Sequence, residues 1–155
     1  MSERLSWSIK CDQEITVVTF QGPIDEDANF SQLIQELSDK ANVRFDLSGL
    51  ARINSCGVRE WVNFIRALPS GSSLSLEKCT PAVVSQLNMI SNFAGNAKVM
   101  SVKAPFVCNN CGSEEDILIE VQANHIPELK AMACKKCSGS MEFDDVEDSY
   151  FAFLN

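Results

Sequence analysis

The feature that most constrains this chain is a pair of matched cysteine knuckles, Cys108-Asn109-Asn110-Cys111 and Cys134-Lys135-Lys136-Cys137, with 22 residues between them. Two Cys-x-x-Cys pairs at such a separation present four thiolates that can close a tetrahedron around one metal ion. Gly112 after the first pair and Ser138-Gly139 after the second supply the backbone freedom that knuckles need. All-sulfur coordination leaves no open position. Cys108, Cys111, Cys134 and Cys137 are therefore expected to hold one structural Zn2+ per chain rather than a catalytic one, with an iron–sulfur cluster as the alternative for the same donors. A segment of about fifty residues has too little core to fold alone, and a bound metal makes up the difference.

Between the knuckles, Ile117-Leu118-Ile119-Glu120-Val121 reads as a strand on which Ala131–Ala133 is expected to pair back, giving a zinc ribbon. The only histidine, His125, falls in Gln122-Ala123-Asn124-His125-Ile126-Pro127 and is expected in an exposed loop, not as a fifth ligand. Beyond the second knuckle an acidic run, Glu142 to Asp148, precedes Tyr150-Phe151-Ala152-Phe153-Leu154. So regular an aromatic segment is expected to pack as a strand on the ribbon or on the rest of the chain. The other reading is an exposed motif that docks a partner.

Composition changes near Ala104-Pro105. Residues 1–104 hold ten Lys/Arg against eleven Asp/Glu, and residues 105–155 hold three against ten. Two domains are expected, 1–104 and 105–155. Zinc ribbons can bind nucleic acid, but phosphate binding is driven by Lys and Arg, and Lys135-Lys136 is the only basic cluster in the second part. No nucleic-acid partner is expected. No apolar run approaches the ~20 residues of a membrane span, and Met1-Ser2-Glu3-Arg4 begins no signal peptide. A soluble, cytoplasmic protein without membrane contact is expected, and there seven cysteines read as ligands or free thiols rather than disulfides.

Residues 1–104 alternate strand and helix patterns. Ile15–Gln21 is a strand, preceded by a short one near Trp7–Lys10. Phe30, Leu33, Ile34 and Leu37 mark a first helix, with Asp25-Glu26-Asp27 at its entry, where acids favour the helix dipole. Val43, Phe45 and Leu47 alternate with Arg44 and Asp46 as a strand with one buried face. A turn through Ser48, Gly49 and Ala51 follows, then Asn54-Ser55-Cys56-Gly57 opens a second helix with Val58, Trp61, Val62, Ile65 and Leu68 on one stripe. Leu74 and Leu76 mark another strand. Thr80 caps a third helix with Pro81 at its first position and Val84, Leu87 and Ile90 inward, and Lys98–Val102 is a last strand. The expected fold class is α/β, a mixed sheet with packed helices followed by a small β domain.

Phe45-Asp46-Leu47 followed by Asn54-Ser55-Cys56-Gly57 resembles the signature of the STAS domain, the module of bacterial anti-sigma-factor antagonists and of sulfate-transporter tails. Gly22-Pro23-Ile24-Asp25 looks like that family's Gly-x-Leu-Asp loop, and Thr80-Pro81-Ala82-Val83 like the start of its third helix. The resemblance covers roughly residues 5–104 and departs from the family at Asn54, where regulated members usually carry Asp. It implies a STAS-like sheet, a protein partner of the anti-sigma-factor or kinase type, phosphorylation of Ser55 by that partner, and a docking surface that includes Asp25, Asn54, Ser55 and Gly57. The other reading of Asn54 and Ser55 is a plain helix cap, worth ~1 kcal/mol. Cys56 stands where the family has Ser or Ala and reads as a small residue packed under the turn; if exposed, its thiolate would be favoured by the helix N-terminus.

Neither a nucleotide-binding glycine loop, nor a convincing carboxylate pair, nor a Ser/His/Asp set is present, so an enzyme is not expected. The expected function is a cytoplasmic protein-interaction module in bacterial signalling, antagonist-like and switched at Ser55. The alternatives are a constitutive, never phosphorylated adaptor and a zinc-ribbon nucleic-acid-binding regulator.

Overall fold

The computed structural model describes residues 4–154. Five strands, β1 (Ser6–Asp12), β2 (Ile15–Ile24), β3 (Asn42–Ile53), β4 (Ser73–Glu77) and β5 (Lys98–Val99), lie side by side in chain order. β1 pairs antiparallel with β2, and the later pairings are parallel. Each parallel step carries a helix: α1 (Ser31–Leu37), α2 (Ser55–Ala67) and α3 (Pro81–Met89). Every step moves the same way across the sheet, so right-handed crossovers place all three helices on one face. That face buries Val18, Phe20, Val43, Phe45, Leu47, Leu74 and Leu76 against Leu33, Leu37, Trp61, Phe64 and Val84. Phe30 stacks on Phe64 with centroids 4.5 Å apart, and the Trp61 Nε1–H donates to the Phe93 carbonyl at 3.0 Å. The opposite face is polar, with an Arg44–Glu77 pair at 4.0 Å and a Lys78–Asp46 pair at 3.4 Å.

The mixed α/β sheet matches the sequence reading, with local corrections. β3 does not turn at Ser48–Ala51. It continues to Ile53 through two register shifts against β2, between Thr19 and Gln21 and between Gly22 and Ile24. The turn chemistry is satisfied inside the bulge, where Asp46 Oδ1 accepts from the Ser48 amide at 3.0 Å and its hydroxyl at 2.7 Å. Gly49 is needed there because a Cβ would run into the Phe20 carbonyl. α1 begins only at Ser31 and has no acid in its first turn, so Asp25-Glu26-Asp27 belongs to the β2–α1 loop and does not serve that helix.

A second sheet is antiparallel, in the order β7 (Glu114–Glu120), β6 (Ser101–Cys108), β9 (Ser140–Phe143), β8 (Met132–Ala133). The expected strand Lys98–Val102 is divided: the Met100 amide donates to the Leu76 carbonyl at 2.8 Å, and Val102 belongs to β6. Met132–Ala133 pairs with β9, not with the strand Ile117–Val121. The aromatic segment forms helix α4 (Glu147–Tyr150) and a 3-10 turn (Ala152–Leu154) instead of a strand. Tyr150, Phe151 and Leu154 are all buried, a spacing that a helical path places on one side and a strand would divide between two.

The two sheets share one core. The Cys79 amide donates to the Ser101 carbonyl at 3.1 Å, and the Lys103 amide to the Cys79 carbonyl at 2.8 Å, so β6 starts beside the end of β4. The Tyr150 hydroxyl donates to the Lys103 carbonyl at 2.6 Å. The Asn88 side chain of α3 donates to the Tyr150 carbonyl at 3.0 Å and accepts from the Phe153 amide at 2.8 Å. Burial, with the nearby Asp116 and Asp145 carboxylates, raises the Tyr150 pKa, and burial pushes the Cys79 thiol up to about 12. Among the described residues no helix is long and apolar enough to cross a membrane.

Candidate functional site

Two places carry chemistry. The first is the cysteine cluster. Cys108 closes β6, Cys111 ends the tight turn toward β7, and Cys134 and Cys137 flank the turn between β8 and β9. The four Sγ atoms lie within 4.8 Å of one another, with Cys108 to Cys137 at 3.4 Å and Cys111 to Cys134 at 3.7 Å. A disulfide would need about 2.05 Å. Four sulfurs about 2.3 Å from a tetrahedral ion stand about 3.8 Å apart, so the donor set fits a metal.

The backbone around the sulfurs is arranged for thiolates. The amides of Asn110 and Cys111 point at the Cys108 sulfur at 3.4 and 3.5 Å, and the Gly139 amide points at the Cys137 sulfur at 3.4 Å. A Cβ on Gly139 would meet the Asn110 Cβ at 2.7 Å and the Cys108 and Cys137 sulfurs at 3.2 Å, so the cradle has room only for glycine. Gly112 and Ser138 take the left-handed conformation at φ +75° and +64°. Hydrogen bonds from the Ser113 hydroxyl and amide hold the Cys111 thiol down at about 6, and the Asn110 side chain and Gly139 amide lower Cys137. At Cys108 the amides of Cys111 and Asn110 pull the pKa down, but burial and the neighbouring thiols raise it overall. Cys108 and Cys134 are buried, Cys111 is exposed, and Lys135 pairs with Glu115 at 3.7 Å beside them. His125 is exposed on its loop and is not part of the cluster.

The second place is the start of α2. Asn54 is the cap residue, and its Oδ1 accepts from the Gly57 amide at 2.8 Å. Ser55 is the first helical residue and is exposed. Gly57 is buried, and a Cβ there would collide with the Ile24 carbonyl. The helix start is thereby clamped on the end of β2, where the Asn54 amide also donates to the Ile24 carbonyl at 3.2 Å. Asp25 is half-buried, and its carboxylate accepts from the Asp27 amide at 3.0 Å. The structure brings the loop Asp25–Asp27 beside the helix start Asn54–Gly57. Cys56 is exposed, not packed under the turn.

The residue that sequence reasoning missed is Glu26. Its Oε2 accepts from Asn54 Nδ2 at 2.9 Å, and that hydrogen bond, followed by one from its own backbone, lowers its pKa. The one available signal was the amide of Asn54, which has a donor to give where an Asp has none.

No protein-family profile and no curated protein matches the chain. Among solved structures, an anti-sigma factor antagonist from Mycobacterium paratuberculosis is similar over 61% of this chain and 86% of its own, at 15% identity and a TM-score of 0.50. An assigned anti-sigma factor antagonist from Thermotoga maritima is similar over 60% and 84%, at 14% identity and a TM-score of 0.46. The chain carries a STAS-like mixed α/β fold joined to a small β-sheet whose four clustered cysteines can hold a metal ion.

Proposed function

We propose that this chain is a cytoplasmic, antagonist-like protein-interaction module that docks a protein partner of the anti-sigma-factor or kinase type through the start of α2 and is switched by phosphorylation of Ser55. The observation that carries the reading is an exposed serine at a helix start clamped against the β2–α1 loop, in a fold shared with an antagonist. A phosphate there adds nearly two negative charges to the surface, enough to break one complex and favour another. In the same proposal Asp25, Asn54 and Ser55 form the contact surface, while buried Gly57 acts by letting the helix approach β2.

The ion proposed at Cys108, Cys111, Cys134 and Cys137 is zinc, in a structural role. Four sulfur donors of this spacing suit it, and when bound it supplies cross-links that a small sheet lacks. The constitutive adaptor is the second reading, favoured by the neutral Asn54 cap, which stabilises the helix with no phosphate involved. A pull-down from the native cell with wild type and Ser55→Glu separates the two. The switch predicts a protein partner that wild type retains and Ser55→Glu loses, and identical partner sets point to the adaptor. The acidic second part argues against a nucleic-acid binder, and micromolar, salt-sensitive binding to mixed DNA and RNA would reverse that.

A further inference from the structure

Two acids of the β2–α1 loop have different tasks. Asp25 is committed to its own turn through the Asp27 amide, whereas Glu26 reaches across 28 residues of sequence to Asn54. Asn54 uses both ends of its carboxamide, accepting from the Gly57 amide with Oδ1 and donating to Glu26 with Nδ2. An Asp could cap the helix but could not donate, and it would set two carboxylates against each other. Asn54 and Glu26 therefore form one matched unit, a neutral cap with the negative charge carried on the adjoining loop. The loop is held at both ends, because β2 finishes on buried Pro23 and Ile24, where the Ile24 carbonyl receives the Asn54 amide and abuts Gly57, and because Ala28 is buried and its amide donates to the Asp25 carbonyl at 3.1 Å. The backbone thus fixes where the Glu26 carboxylate stands relative to the first turn of α2, and Ser55 is the next residue after Asn54.

We propose that Glu26, positioned by Asn54, is the specificity-determining carboxylate for modification of Ser55: a basic side chain of the modifying kinase reads it and so brings the Ser55 hydroxyl into register. The inference rests on the reading of Ser55 as a phosphorylation site. In that transfer a bond forms between Ser55 Oγ and the γ-phosphorus of a nucleoside triphosphate. The bridging bond to the β-phosphate breaks, the diphosphate leaves, and the hydroxyl proton passes to the kinase's base. Glu26 takes no part in that chemistry and acts only through docking.

The test uses the full chain in its native host, expressed as wild type, Glu26→Gln and the double variant Asn54→Asp with Glu26→Gln. Ser55 phosphate occupancy is measured by quantitative mass spectrometry. Gln keeps the size of Glu26 and can still accept from Asn54, so it removes the charge and little else. Occupancy in Glu26→Gln should fall about tenfold or more, the scale of losing one close charge pair across a protein interface. The double variant, which puts a carboxylate at the cap itself, should recover most of it. Equal occupancy in wild type and Glu26→Gln overturns the inference, and so does a loss that the double variant fails to restore, since the pair would then be only structural. Wild-type Ser55 that is never phosphorylated removes the switch reading itself, and the inference with it, a result distinct from either of the other two.

Discussion

Phe151→Ala tests whether the two sheets stand or fall together. Phe151 is fully buried, with ring centroids 5.2 Å from Tyr150 and 6.0 Å from Phe143. Truncating a buried Phe costs about 3–5 kcal/mol through lost burial and the cavity left behind. At about 2–4 °C per kcal/mol for a protein of this size, the melting temperature should fall by about 10 °C. The molecule carries its own paired reporters. Both tryptophans, Trp7 and Trp61, pack in the aromatic layer of the first sheet, and the cysteine cluster lies in the second. Thermal unfolding of metal-loaded protein, followed at once by tryptophan fluorescence and by metal release to a chelating dye, should show one coincident transition shifted by the same amount. The hydrogen bonds that tie Cys79 to Ser101 and Lys103, and Asn88 to Tyr150, require it. An unmoved tryptophan transition beside earlier metal release would falsify the coupling and leave the segment Glu147–Leu154 serving the second sheet alone.

Elemental analysis of protein purified without chelator should give about one zinc per chain, and Cys134→Ser should abolish it; metal-free wild type would remove the site from the argument, and iron would replace the ion. Asn54→Ala should destabilise the fold by about 1 kcal/mol in urea unfolding by uncapping α2, and an unchanged midpoint would show that the cap contributes nothing. Burial raises the Asp46 carboxyl's pKa, but the Ser48 hydroxyl and amide and the Lys78 ammonium outweigh it and hold the group below its ordinary value. A depressed carboxyl stabilises fully above its unfolded pKa of about 3.9 and loses that contribution as pH falls through its folded value, so Asp46→Asn should flatten stability against pH below about pH 4. A pH profile with the same slope in both proteins refutes it.

What the sequence disclosed was local. The cysteine knuckles fix their own geometry within four residues each, and Thr80 with Pro81 does cap and open α3, with Thr80 Oγ1 accepting from the Val83 amide at 3.4 Å. The alternation of Val43, Phe45 and Leu47 was equally legible, because one buried face imposes a period of two. What stayed hidden depends on partners distant in the chain. The two bulges of β3 are set by its register against β2, so Ser48 and Gly49 looked like a turn. The acids at 25–27 precede an apolar helical stripe, which marks them as its dipole partners, yet tertiary contact sends Glu26 to a different helix. The segment 150–154 is a short apolar run whose periodicity cannot separate helix from strand, and its helical path follows from the surface of α3 that it covers.

The hydrogen bonds that fasten Tyr150 and Phe153 to Asn88 of α3 and to Lys103 bear on how the chain reaches this structure. Asn88 meets the Phe153 amide across 65 residues and Lys103 meets Tyr150 across 47, so these are among the most non-local contacts of the molecule. Closing loops of that length is entropically slow compared with forming the β2–α1–β3 unit. The first sheet and its helices should therefore assemble early, into an intermediate in which the side of α3 near Leu87, together with Val102, is still bare. That species exposes apolar surface for as long as the second sheet takes to gather its four cysteines. With the proposed ion as the cross-link of those cysteines, metal supply would set how long the vulnerable interval lasts, and metal-starved refolding is where aggregation of this protein is expected to concentrate.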